Sequence, residues 1–153
     1  MTTFLLIMHG LFAVALLGAL THQAASLFPR RAAAQAVFVE RYARVDGAGF
    51  TLAIALLYFV VFVLGSVIYP AYRVDVRIPF EELGLFWAVG LFELKEHAGG
   101  IGLGILPLYF VVWRRQAGDL LLTNRRMITA LLAAVVWFDF VVGHVLNNIR
   151  GLG

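Results

Sequence analysis

Five ionisable residues, Glu93, Lys95, Glu96, His97 and Asp139, sit inside stretches of this chain that are otherwise apolar enough to cross a bilayer. His9 and His144 fall at a similar predicted depth. A charged side chain at the middle of a bilayer costs about 3 kcal/mol on insertion scales, so charges retained there point to a site. Three chemistries use residues of these types. A b-type haem would take two of His9, His97 and His144 as axial ligands, leaving the carboxylates to couple electron transfer to protons or to bind a quinone head group. A non-haem iron, copper or zinc ion would draw on Glu93, Glu96 and His97, with His144, Asp139 and His9 as further nitrogen and oxygen donors. A proton or ion pathway needs no cofactor, because chains of Asp, Glu and His are also the parts of proton relays.

Spacing adds a second constraint. On a helix, Glu93, His97, Gly100, Gly104 and Pro107 share one stripe, with Lys95 and Glu96 flanking it. Asp139, Gly143, Asn147 and Arg150 form another, with His144 one residue off. Glycine also accompanies each of these histidines: Gly10 follows His9, Gly99 and Gly100 follow His97, and Gly143 precedes His144. A residue without Cβ lets a flat group approach the backbone, which suits a porphyrin lying against Gly100. The plainer alternative is that Gly100 and Gly104 pack helices together, that single histidines make hydrogen bonds, and that Lys95 neutralises a neighbouring carboxylate. A second haem is rejected, since at ~100° per residue His9 and His22 point about 140° apart. His22 is assigned to a polar contact near the cytoplasmic interface.

The elements that must hold these residues are set by composition. The 153-residue chain is 62% hydrophobic and 14% charged, with mean hydropathy +0.91, whereas a soluble domain is roughly half apolar and a quarter charged. This describes a polytopic membrane protein of one domain, residues 1–153. Four spans are expected, at about Thr3–Leu27, Phe50–Tyr69, Leu91–Trp113 and Met127–Leu146, each near the ~20 apolar residues that ~30 Å of hydrocarbon requires. Arg30, Arg31, Arg41 and Arg44 follow the first span, and Arg114, Arg115, Arg125 and Arg126 follow the third. The middle connection mixes Arg73 and Arg77 with Asp75, Glu81 and Glu82. Positive-inside counting therefore puts the first and third connections in the cytoplasm and both termini outside. Trp113 is expected to anchor at the interface, Arg31–Ala36 to begin a short surface helix, and Pro79–Gly90 to form an interfacial lead-in to the third span. The first span resembles a signal peptide only superficially, because Met1–Phe4 carries no positive charge and the arginines follow the apolar run.

Several classes of function drop out. The chain has no cysteine, which excludes disulfides, thiolate metal sites and iron–sulfur clusters. It has no phosphate loop, dinucleotide fingerprint or nucleophile elbow. Its basic balance comes from arginines in the connections and reads as a topology signal, with no nucleic-acid partner implied. In architecture alone the chain is similar to small four-helix membrane cytochromes b, a likeness that no diagnostic motif accompanies. The expectation is an all-α, up-and-down bundle of four transmembrane helices in a bacterial inner membrane. It would hold one haem b toward the periplasm, with His97 and either His9 or His144 as ligands and Glu93, Lys95, Glu96 and Asp139 as proton-handling groups. Electrons would pass to or from a quinone or a redox partner protein. The alternatives are a non-haem metal site, a proton-coupled site without cofactor, or a structural subunit, with a homo-oligomer or larger complex compatible with each.

Overall fold

The computed structural model describes residues 2–27, 46–114 and 119–150. The surface helix expected at Arg31–Ala36 and all four arginines of the first connection, Arg30, Arg31, Arg41 and Arg44, lie outside them. Among the described residues the chain is helical throughout, with no strand. The long helices are α1 (Thr2–Ala25), α2 (Thr51–Tyr72), α4 (Phe86–Arg114) and α5 (Asp119–Arg150), and the short α3 spans Ile78–Glu82. Each long helix packs on two others, α1 and α4 both lying against α2 and α5. A 3-10 turn at Gly47–Phe50, capped by Asp46 through the backbone N–H of Ala48, leads into α2. Its far end runs through a π-helical segment, Arg73–Arg77, directly into α3.

Three helical stretches are long and apolar enough to cross a membrane: Thr3–Ala25, Gly47–Glu82 and Leu121–Ile149. Their outward faces carry large apolar side chains such as Phe4, Ile7, Leu56, Phe59, Leu131 and Trp137, a surface suited to lipid contact. Helix α4 has 29 residues, enough for roughly 43 Å at ~1.5 Å per residue, but its first half contains Glu93, Lys95, Glu96 and His97. Hydropathy therefore places the polar burden of the bundle on one helix.

Helix ends differ from the expected spans: α4 starts five residues earlier, in the apolar segment Phe86–Gly90, and α5 continues through polar turns beyond its apolar run. Helix α4 begins at Phe86, and α5 runs from Asp119 to Arg150. The segment Pro79–Gly90 is not a single interfacial lead-in. It contains α3, a turn and the start of α4, and Phe80 is buried with Val76, Ala88, Val89, Val142 and Leu146. Gly84, at φ 72°, makes the turn: its N–H donates to the Glu81 carbonyl at 3.1 Å and that of Leu85 to the Phe80 carbonyl at 2.8 Å, a Schellman closure. Gly84→Ala is expected to cost about 1 kcal/mol, because an L residue is strained in this conformation. Thermal unfolding in detergent checks this, and an unchanged midpoint would show that the turn can relax.

Trp113 is not an interfacial anchor. It is 6% exposed, its Nε1–H donates to Thr129 Oγ1 at 2.9 Å, and the Arg125 guanidinium lies 5.3 Å from its ring. The core is built in layers to which every long helix contributes. At the end bearing Trp113, Gln23, Thr51, Tyr109 and Thr129 form a polar layer. Gln23 donates to the Gly47 carbonyl at 2.8 Å and accepts from the Tyr109 hydroxyl. The next layer is Leu20, Ile54, Leu106 and Leu132, all buried and apolar. Beyond it the interior becomes polar again.

Candidate functional site

Around that second polar region each long helix supplies a group capable of hydrogen bonding. His9 comes from α1, Tyr58 from α2, Lys95 and Glu96 from α4, and Asp139 from α5, and all five line a cavity of about 90 Å³. The cavity exists because glycine lines it. A methyl group at Gly65 would sit 3.3 Å from His9 Cε1, and one at Gly99 would sit 3.2 Å from Asp139 Oδ2, so both side chains approach bare backbone. The Tyr58 hydroxyl donates to the Gly99 carbonyl at 2.9 Å and occupies the space that a Cβ at Gly102 would need.

Lys95 Nζ pairs with Glu96 Oε1 at 2.8 Å and lies 5.0 Å from the centre of the Phe92 ring. This ion pair is largely enclosed, the side chains being 17% and 34% exposed. Beside it, His9 Nδ1 and Asp139 Oδ1 are buried and make no hydrogen bond to the protein. Buried polar atoms are almost always satisfied, so two orphans on one cavity signal a ligand, a water or an exchanging proton.

His9 and Asp139 also form part of a second, larger cavity of about 350 Å³. This cleft lies toward the start of α1 and the end of α5. Tyr72, Asp75, Phe92, His144 and Asn147 line it, with Gly10 and Gly143 on facing helices. The two cavities are thus adjacent, with His9 and Asp139 on both. Tyr72 stacks on Phe92 with ring centres 3.5 Å apart, and its hydroxyl is a third buried atom without a hydrogen-bond partner.

Of the residues singled out from the sequence, His9, Lys95, Glu96 and Asp139 are therefore brought together, and His144 faces the neighbouring cleft. His97 and Gly100 are exposed and line neither cavity. The His97 Nδ1–H donates to the Glu93 carbonyl of its own helix at 2.7 Å. Glu93 turns away as well, toward Arg77, which it meets at 3.1 Å while Arg77 also holds Glu81 at 2.7 Å. The stripe Glu93, His97, Gly100, Gly104 does share one face of α4, but that face points away from the cavities. The inward face carries Gly99, Gly102, Leu106 and Tyr109. His22 is buried against Phe50, ring centres 5.2 Å apart, at the end opposite the cleft.

Sequence reasoning passed over Tyr58, Tyr72 and Gly65, and read Arg77 only as a charge of the middle connection. A tyrosine amid the apolar run Leu56–Val63 was the available signal for the first. Among the described residues, no three His, Asp or Glu side chains are grouped closely enough to hold a metal ion. The chain matches no protein-family model, no curated protein and no solved structure.

Proposed function

We propose that this is an up-and-down four-helix membrane protein, with both termini on the outer side, whose outer half holds a proton-exchanging site formed by His9, Asp139, Lys95 and Glu96. One observation carries the reading: two titratable side chains on the lining of one cavity, His9 and Asp139, each hold a buried polar atom without a hydrogen-bond partner, and an ion pair lines the same cavity. Unpaired charge is costly in such surroundings, which favours a cluster of zero net charge. Lys95 and Glu96 cancel. The neutral form of the His9–Asp139 pair is imidazole with carboxylic acid, or imidazolium with carboxylate, and release of its one shared proton to the cleft leaves imidazole with carboxylate, so the pair takes up and gives up a proton as pH changes. The cleft supplies the route, with Asp75 and His144 at its lining and the Leu20, Ile54, Leu106, Leu132 layer closing the other direction.

Infrared difference spectra of the purified protein across a pH titration test this. A carboxyl stretch and an imidazole band should titrate together, Asp139→Asn should remove the first, and His9→Ala should move its midpoint. An Asp139→Asn spectrum identical to that of the parent would sink the assignment.

A specific observation also supports a haem reading. His9 and His144 line one cleft from α1 and α5, beside Gly10 and Gly143, so an imidazole pair remains although His97 faces away. Bound there, a haem would supply one-electron chemistry, and His9 and His144 would be the residues to hold its iron. Visible spectra of the oxidised and reduced protein decide it: a bis-imidazole haem signature lost in both His9→Ala and His144→Ala would establish it, and a colourless protein made with ample haem would remove it.

A further inference from the structure

We infer that the wide cleft binds a neutral, lipid-soluble ring compound of the quinone or quinol class, with its oxygens directed at His9, Asp139 and Tyr72. The inference rests on the proton-exchanging reading, because the same His9 and Asp139 would meet the ligand. Three of the residues that line this one cavity, each from a different helix, hold a buried polar atom without a hydrogen-bond partner: His9 Nδ1, Asp139 Oδ1 and the Tyr72 hydroxyl. A hydroxyl is both donor and acceptor, a carboxyl is either according to its protonation, and an imidazole nitrogen is either according to its tautomer. That mixed set suits oxygens that are carbonyls in one form of the ligand and hydroxyls in the other.

The cleft volume, about 350 Å³, lies at the lower end of the range for small-molecule sites, ~300–1,000 Å³. Its walls are flat and apolar between the polar atoms: the Tyr72–Phe92 stack, Phe140, and backbone left bare at Gly10. Gly10 has open space where a Cβ would project. Charge narrows the class. No Lys or Arg lines the cleft, and Asp75 and Asp139 do, so an anion finds no permanent counter-charge there. A cation would face Asp75 and Asp139, but Lys95, which lies over Phe92 and shares the adjoining cavity with Asp139, already supplies a positive charge there. A neutral ring satisfies both conditions. Leu6, 39% exposed on the cleft lining, gives an apolar tail a path to the lipid.

The test uses the full-length protein in lipid nanodiscs, titrated with decylubiquinone and read by calorimetry against empty nanodiscs. Saturable binding is expected. Gly10→Leu should weaken it at least tenfold by filling the ring's space, with the unfolding midpoint retained because nothing lies within 4 Å of the added Cβ. Tyr72→Phe should weaken it about fivefold, the loss of one hydrogen bond of ~1 kcal/mol. Gly18→Leu, on the exposed face of the same helix and away from the cleft, should bind as the parent does. No saturable binding by the parent, or equal affinity in Gly10→Leu, overturns the inference. So does a haem signature in the purified protein that Gly10→Leu abolishes, since the cleft would then belong to a porphyrin. The infrared titration of Asp139 and His9 separates the two claims: if it persists without quinone binding, only the ligand is wrong, and if it is absent in the parent, the proton-exchanging site itself has failed.

Discussion

Lys95→Met is expected to destabilise the protein by about 3 kcal/mol, the scale on which removing one member of a buried ion pair strands the other. Glu96 would lose its 2.8 Å partner, and the neighbouring Asp139 would lose the nearest cation on the cavity. The exposure of Glu96 keeps the figure at the lower end of that scale. The lysine stem is also part of the packing, with Cε 3.7 Å from the Cβ position of Gly143 on α5, and Met retains its bulk. The double variant Lys95→Met, Glu96→Gln should regain most of the loss, because neutralising both members leaves no stranded charge. Thermal unfolding of the two variants in the same detergent measures this. A double variant as unstable as the single one would mean that the lysine acts through packing alone.

At the other end of the bundle, Gln23→Leu should cost a similar ~3 kcal/mol. Gln23 is fully buried, and its side chain is the donor to the Gly47 carbonyl and the acceptor for the Tyr109 hydroxyl. Its removal leaves two buried polar groups short of a partner, at ~1–3 kcal/mol each. Tyr109→Phe should therefore be costly in the parent but nearly free once Leu occupies position 23. A double-mutant cycle reads this coupling, and strictly additive losses would contradict the network.

The helices were largely legible in the sequence because ~20-residue apolar runs have few alternatives. Their ends were less so: Asp119–Arg126 is helical but polar at both ends, so hydropathy falls there although the backbone continues, and Phe86–Gly90 is apolar helix that follows too closely on the charged segment Arg73–Glu82 to be read as part of a span. Depth was informative. It associated His9 with Lys95, Glu96 and Asp139, which share a cavity. Facing was not. Periodicity groups Glu93 with His97, Gly100 and Gly104 but cannot say whether that stripe points inward, since the contrast between an apolar core and a polar surroundings that orients a soluble helix vanishes in lipid. Trp113 shows the same weakness, an amphipathic ring near an arginine being equally suited to the interface and to a buried hydrogen bond with Thr129. Tyr58 and Tyr72 escaped notice because their rings count as apolar in a hydropathy sum while their hydroxyls need partners.

The single apolar layer of Leu20, Ile54, Leu106 and Leu132 has an electrical consequence. A membrane potential falls mainly across the least polarisable section in its path, and here that section lies between the cavity and the Gln23–Tyr109 end. One elementary charge crossing a full 100 mV gains or loses about 2.3 kcal/mol. A proton that enters by the cleft and stops at Asp139 remains on one side of the layer and senses only a small share of that energy. On this reading the occupancy of the site follows the acidity of a single compartment and is almost indifferent to voltage.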